Sequence, residues 1–366
     1  MTVDCNSAVI ARDRIVDCDI HPSPARIEDV TKFLSGRWRE HTQTYGSHLR
    51  QVFSNTIAHP RMTPHTSRLD SWPPGGGPPG SDLAFLRAQH LDPHRIDLGF
   101  LQPLRPVAAS QRNLDYGAAL CDAVNQWQVE AYLSQEPRLR GSIVVHPEHP
   151  DAAIATIARF AADRRFAQVS LPPRADEPLG RRRYWPILAA AEAAGLPLAL
   201  HVSGISGHAP TAGGWPSYYI EEHHSLVALM QAVCVSLIFE GVFERFPRLK
   251  IILIESGIAW VPALLDRMDR NWARMRGEVP HVRRPPSEYF REHVWFTTQP
   301  IDEPERHEDL IDTLDQVGWD RVMFSSDYPH WDFDDPAHIG LSGASPEKRD
   351  RILRRNACEL YGVPCA

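Results

Sequence analysis

LKIILIESG, residues 249–257, is an almost unbroken apolar run that turns polar only at its last residues. A strand with one wet face would alternate, whereas a parallel strand covered on both faces reads as a continuous apolar run. Seven other stretches share the form: RIVDCDIH (14–21), DLGFLQPL (97–104), LRGSIVVHP (139–147), FAQVSLPP (166–173), LPLALHVSG (196–204), HVWFTTQP (293–300) and RVMFSSDYP (321–329). Between them, apolar residues at three- and four-residue spacing predict helices over 113–134, 151–163, 181–194, 226–246, 261–275, 304–317 and 346–361. Pro304 and Pro346 suit first helical turns. Eight strands in strict alternation with helices predict a (β/α)8 barrel, class α/β, filling residues 1–366 as a single domain. A doubly wound sheet would need a glycine-rich turn after its first strand, and HPSPAR (21–26) has none.

The first connection, residues 27–95, is too long for a βα loop and reads as an insertion. Its SWPPGGGPPGSD core (71–82) excludes regular structure, and nine of the 32 prolines lie between Pro60 and Pro106. Loops leaving the C-terminal strand ends surround the active face of a barrel, so a lid or a partner-contacting arm is expected.

Composition narrows the function. Apolar residues are 43% and charged residues 23%, values of an ordinary globular protein. A net charge of -7 excludes the basic stripe of a nucleic-acid binder. Only three of the 39 basic residues are lysines, a bias ascribed to genomic base composition rather than to anion binding. No run approaches the ~18 apolar residues of a membrane span, and the first residues lack a signal-peptide core. The six cysteines show neither a Cys-x-x-Cys pair nor regular spacing, so no disulfide framework is expected and a reducing cytoplasm is.

Metal-capable side chains gather at the predicted strand ends. Asp19 and His21 close the first, His201 the fifth, Glu255 the sixth and Asp327 the eighth. Asp19 and His21 are two apart and share a strand face. Each residue alone has an ordinary role as a cap or a hydrogen-bonded loop residue, but five on four strand ends point to a cation site. His223 and His224 begin a helix within reach of that face, and His330 and Asp332 follow Asp327 closely enough to support it. Trp215, Tyr218 and Tyr219 suit core or lid packing. No GxSxG, P-loop or Cys–His pattern competes.

At these residues the chain resembles the aminocarboxymuconate-semialdehyde decarboxylase-like branch of the amidohydrolase superfamily. VDCDIHP, LALHVSG, FEGVFERFPRLKIILIESG, FSSDYPHWDFDDP and RILRRNACELYG carry the resemblance. It implies one divalent ion held by Asp19, His21, His201 and Asp327, a small-molecule substrate and a homodimer. Two positions depart from the branch. Asp19 replaces the first histidine of its pair, as in resorcylate-type aromatic acid decarboxylases, and Glu255 replaces an acid/base histidine. Two carboxylates and two neutral imidazoles cancel a divalent charge, and oxygen-rich ligands favour Mn²⁺ or Fe²⁺ beside Zn²⁺. Glu255, or one of His223 and His224, would then move the proton, with Glu255 raised toward a neutral pKa by its like-charged neighbours. The expected activity is non-oxidative decarboxylation of an aromatic or conjugated acid. Metal-dependent hydrolysis of an amide, lactone or C–C bond is the alternative, and a non-catalytic binding barrel a third. Arg50, Arg61 and Arg68 are candidates for holding a substrate carboxylate.

Overall fold

The structure is a computed structural model and describes residues 14–46, 62–202 and 209–364. Eight parallel strands run in sequence order: β1 (Ile15–Ile20), β2 (Ile96–Leu101), β3 (Leu139–Val144), β4 (Phe166–Leu171), β5 (Leu198–His201), β6 (Ile251–Ile254), β7 (Val294–Thr297) and β8 (Val322–Met323). The ladder from β1 to β8 is continuous. The seam between β8 and β1 is closed by separate backbone bonds, Cys18 N to Phe324 O, Asp327 N to Asp19 O and His21 N to Tyr328 O. The (β/α)8 barrel is therefore present, with a nearly closed sheet.

Val16, Cys18, Leu98, Phe100, Ala199, Ile252, Ile254 and Met323 form one buried cluster inside the barrel. Ala357, Cys358 and Leu360 of the last helix (Asn356–Tyr361) join it at the end opposite the site. A second, larger cluster lies between the strands and the surrounding helices. β1 advances three residues, Asp17 to Ile20, while β2 advances two, Gly99 to Leu101. This bulge adds one residue and re-aims the side chains beyond it. Cys18 thus packs in the barrel core, while Asp19 and His21 meet the side chains of β5 and β6 above it.

Several helix boundaries differ from the sequence expectation. The helix after β7 starts at His307, so Pro304 precedes it. The 226–246 pattern is a helix from Tyr219 to Phe239, then a short Val242–Arg245 turn, because Gly241 leaves the helix at φ +79°. Tyr219–Phe239 is also long and apolar enough to cross a membrane by length and composition, which corrects the expectation that no run comes close. Its Met230, Val233, Cys234, Leu237 and Ile238 are buried in the molecule. A further helix, Pro286–His293, precedes β7. The insertion holds its own short helices, Glu28–Thr31, Gly36–Tyr45 and Leu83–Leu86, while residues 72–82 are irregular as expected. Cys18, Cys121 and Cys234 are buried free thiols, but Cys358 is disulfide-bonded, a bond for which the cysteine spacing carried no signal.

Candidate metal centre

The C-terminal ends of β1, β5, β6 and β8 bring Asp19, His21, His201, Glu255 and Asp327 into one buried cluster. His21 Nε2 lies 2.7 Å from Asp327 Oδ1, 3.3 Å from Asp19 Oδ1 and 3.7 Å from Glu255 Oε1. His201 Nε2 lies 3.1 Å from Glu255 Oε1 and 3.6 Å from Asp19 Oδ2. The donor atoms fall into two overlapping sets, one of Asp19, His21, His201 and Glu255, the other of His21, Glu255, Asp327 and His330. Glu255 belongs to both, so it stands among the donors rather than behind them. Glu255 and Asp327 have positive φ, 56° and 60°, a left-handed conformation uncommon outside glycine and costliest here for Glu255.

The set suits a divalent cation. The His21 Nδ1–H donates to the Gln102 carbonyl at 2.8 Å, which leaves the Nε2 lone pair facing the carboxylates. Asp19 Oδ1, Asp19 Oδ2 and His21 Nε2 are buried and complete no hydrogen bond in spite of these short separations. Atoms aimed at a shared point rather than at one another are the signature of ligands. Protons otherwise supply the missing positive charge. Burial disfavours charge on His21, but Asp19, Asp327 and Glu255 raise its pKa well above the ordinary value. His201 is likewise pushed up to about 9, by Glu255 and Asp19 against its burial.

One expectation about Glu255 is corrected. Burial would raise its pKa, yet His201 and His21 hold it well below the ordinary carboxylate value. The raised carboxyl is Asp327, through burial and the neighbouring Glu255. The imidazoles stand closer to Glu255 than like charge was assumed to.

His330 donates from its ring to Asp327 Oδ1 at 2.6 Å and stacks on His21 with centroids 4.3 Å apart. Burial and His21 push its pKa down to about 3. Asp332 does not reach the donor atoms but pairs with His223 Nε2 at 3.4 Å. That pair, with Tyr219 and Trp331 hydrogen-bonded at 3.1 Å, lines the side of the site. His224 is exposed, its ring 6.3 Å from that of His223, and is not brought into the cluster. Arg50 and Arg61 lie outside the described residues. Arg68 is not available as an anion holder, since its guanidinium forks onto Asp70 and covers the Phe333 ring. Gln102, the partner of His21, was missed, because it acts through its backbone carbonyl, which any residue at that position offers.

The amidohydrolase family profile matches residues 16–363. A gamma-resorcylate decarboxylase of Polaromonas sp. (strain JS666) is 26% identical over 298 residues, covering 76% of this chain and 87% of that one. Among solved structures, an amidohydrolase of Mycobacterium avium subsp. paratuberculosis K-10 superposes with a TM-score of 0.73 at 22% identity, covering 96% of this chain and all of the other. The 5-carboxyvanillate decarboxylase of Novosphingobium aromaticivorans, solved with manganese and 4-hydroxy-3-methoxy-5-nitrobenzoic acid, superposes with a TM-score of 0.71 at 17% identity, covering 96% and 97%. With a barrel of this topology and a buried donor cluster on its strand ends, the chain belongs to the amidohydrolase family, in its aminocarboxymuconate-semialdehyde decarboxylase-like branch.

Proposed function

We propose that this protein is a metal-dependent carboxy-lyase that removes CO₂ from an aromatic or conjugated carboxylic acid without an oxidant. The observation that carries the reading is the pair of overlapping donor sets, Asp19, His21, His201 and Glu255 beside His21, Glu255, Asp327 and His330, in a chain related over most of its length to a resorcylate decarboxylase. A divalent ion held by Asp19, His21, His201 and Asp327, whether Mn²⁺, Fe²⁺ or Zn²⁺, would supply the positive charge that binds the substrate's oxygens. His21 is oriented for that task by Gln102, and His330 steadies Asp327. The remaining step belongs to the protein. Glu255, held as the carboxylate by His201 and His21, takes a proton from His223 and relays it to the ring carbon, the bond to the substrate carboxylate breaks, and its electron pair stays with the ring while CO₂ leaves. His223, paired with Asp332, stands at the wall as the route by which that proton is replaced.

The insertion, residues 27–95, serves in this proposal as the lid. In support, Arg68 N bonds Pro329 O, Trp331 N bonds Thr66 O, and Ser67 bridges to His330, which lays this segment on the end of β8. We further take the protein to be a cytoplasmic homodimer acting on a small molecule, with no nucleic-acid or membrane partner. Exposed Trp215, Tyr218 and Ile220 offer an apolar patch for a second copy, and sizing chromatography tests it. Cell fractionation tests the location.

The deciding experiment is a screen of phenolic and heteroaromatic acids with Mn²⁺ or Zn²⁺ added. Release of CO₂ with one solvent deuterium on the product ring is expected. Solvent ¹⁸O in the product would replace this reading with the hydrolase, and protein that neither takes up metal nor turns over any acid would leave a binding barrel.

A further inference from the structure

Behind the metal-facing side of β1 lies a second buried polar group that the proposed chemistry does not use. Asp17, His90 and Ser326 are all fully buried. Asp17 Oδ1 accepts from two backbone amides, Ser326 N at 2.9 Å and Asp19 N at 3.1 Å. Asp17 Oδ2 accepts from Ser326 Oγ at 2.5 Å and from His90 Nε2 at 2.7 Å. Ser326 Oγ in turn accepts from Tyr328 N at 3.1 Å. The His90 ring lies flat against Tyr328, with centroids 4.7 Å apart and planes 11° apart.

The places these bonds reach are the informative part. One carboxylate oxygen holds the amide of Asp19 itself and the amide of the residue immediately before Asp327. Asp327 sits at φ 60°, a left-handed conformation that costs energy and that bonds on the preceding residue help to hold. His90 comes from neither strand; it belongs to the helical turn Arg87–Leu91 that ends the insertion. A packing network would need only to satisfy its own polar atoms. This one spans the barrel seam and clasps the two backbones that carry the two aspartates of the centre.

We propose that Asp17, His90 and Ser326 form a positioning clamp that sets the spacing of Asp19 and Asp327 for the divalent ion and couples the insertion to that ion. The clamp touches neither metal nor substrate, and the inference rests on the metal-centre reading above. Partners that orient metal ligands typically account for 10–100-fold in affinity. Coupling is reciprocal, so an ion that needs the clamp must also tighten it.

The test uses the full-length protein loaded with Mn²⁺, and separately with Co²⁺ as an optical probe. Asp17→Asn and Ser326→Ala should weaken Mn²⁺ binding, measured by chelator competition, by about 10–100-fold and alter the Co²⁺ absorption bands. His90→Ala should do the same, while His90→Gln, which keeps a donor toward Asp17, should restore affinity to within about threefold of wild type. In the wild type, Mn²⁺ should slow hydrogen exchange across residues 83–91, and Ser326→Ala should abolish that slowing. If Asp17→Asn fails to fold, Ser326→Ala and the His90 pair carry the test. Variants that melt earlier yet bind Mn²⁺ with wild-type affinity and unchanged Co²⁺ bands would overturn the clamp while leaving the metal centre intact. A wild-type protein that takes up no divalent ion is a different result, and would overturn the centre and the clamp together.

Discussion

Alanine in place of Gly80 should damage the metal centre from the insertion side. A Cβ built on Gly80 meets the His21 carbonyl oxygen at 2.2 Å, and the backbone there has φ +77°. Ordinary carbon–oxygen contact begins near ~3.3 Å, so the two chains must part by about 1 Å. His21 resists that movement, since its amide bonds Tyr328 O at 2.7 Å and its ring bonds Gln102 O at 2.8 Å. The loop yields instead, with loss of the Gly80 carbonyl's bonds to Ser23 N and to the Tyr132 hydroxyl. Two hydrogen bonds at about 1 kcal/mol each, with about 1–2 kcal/mol for the left-handed backbone, amount to roughly 3–4 kcal/mol. Any share of the 1 Å that His21 absorbs appears as activity, where a displacement of that size can cost about 10²-fold. Urea unfolding of the metal-free protein and Mn²⁺ titration of the folded protein separate the two shares. Gly76→Ala is the control: φ there is +90°, but nothing lies within 4 Å of the added carbon. It should cost only the backbone portion, about 1–2 kcal/mol, and leave Mn²⁺ binding unchanged. Equal losses in the two variants, or none in Gly80→Ala, would refute the idea that the insertion presses on β1 at this point.

Three further outcomes are expected. His201→Ala should lose most bound metal by elemental analysis while circular dichroism shows an intact barrel; full occupancy would remove His201 from the ligands. Glu255→Gln should keep its metal and bind substrate but lose about 10²–10⁴-fold in kcat, and normal turnover would end its role in proton transfer. At Glu136, burial favours the neutral acid, but Arg138 and Arg87 bring the pKa down to about 2 from an ordinary 4.5. A depressed carboxylate contributes stability above pH ~4.5 that is lost as pH falls toward ~2, at most about 3 kcal/mol, and less given the partly exposed guanidiniums. Glu136→Gln should therefore lower the stability measured at pH 7 and flatten the acid limb; an acid limb unchanged from wild type would contradict it.

Much of the centre was legible because a parallel strand announces its own end. An apolar run that stops at His201 or Glu255 places that side chain at the rim of a barrel whatever its helices do. What the sequence did not carry was backbone detail of one or two residues. The bulge between Asp17 and Ile20 leaves no compositional mark, and neither does the positive φ of Glu255 and Asp327, which no glycine announces. The proton distribution followed from that geometry, which is why Asp327 rather than Glu255 is the carboxyl with the raised pKa. One of His223 and His224 was expected to reach the site, and His223 is the one that lies beside it. Adjacent residues on a helix point about 100° apart, so only one of His223 and His224 can face the site. The clamp combines residues as far apart as 17 and 326, a pairing that no local pattern announces.

The closing seam also governs when, during synthesis, the centre can exist. Asp19 and His21 leave the ribosome about 300 residues before the partners of their backbone bonds across the seam, Asp327 and Tyr328. Throughout that interval β1 can pair with β2, and later its ligands can meet His201 and Glu255, but its other edge has no neighbour. Strands left waiting in this way are exposed to pairing with the wrong chain. The site is therefore completed last: the strand that shuts the barrel also delivers the final carboxylate. A nascent chain stalled just short of residue 327 would hold most of the sequence and still lack the last carboxylate of its centre.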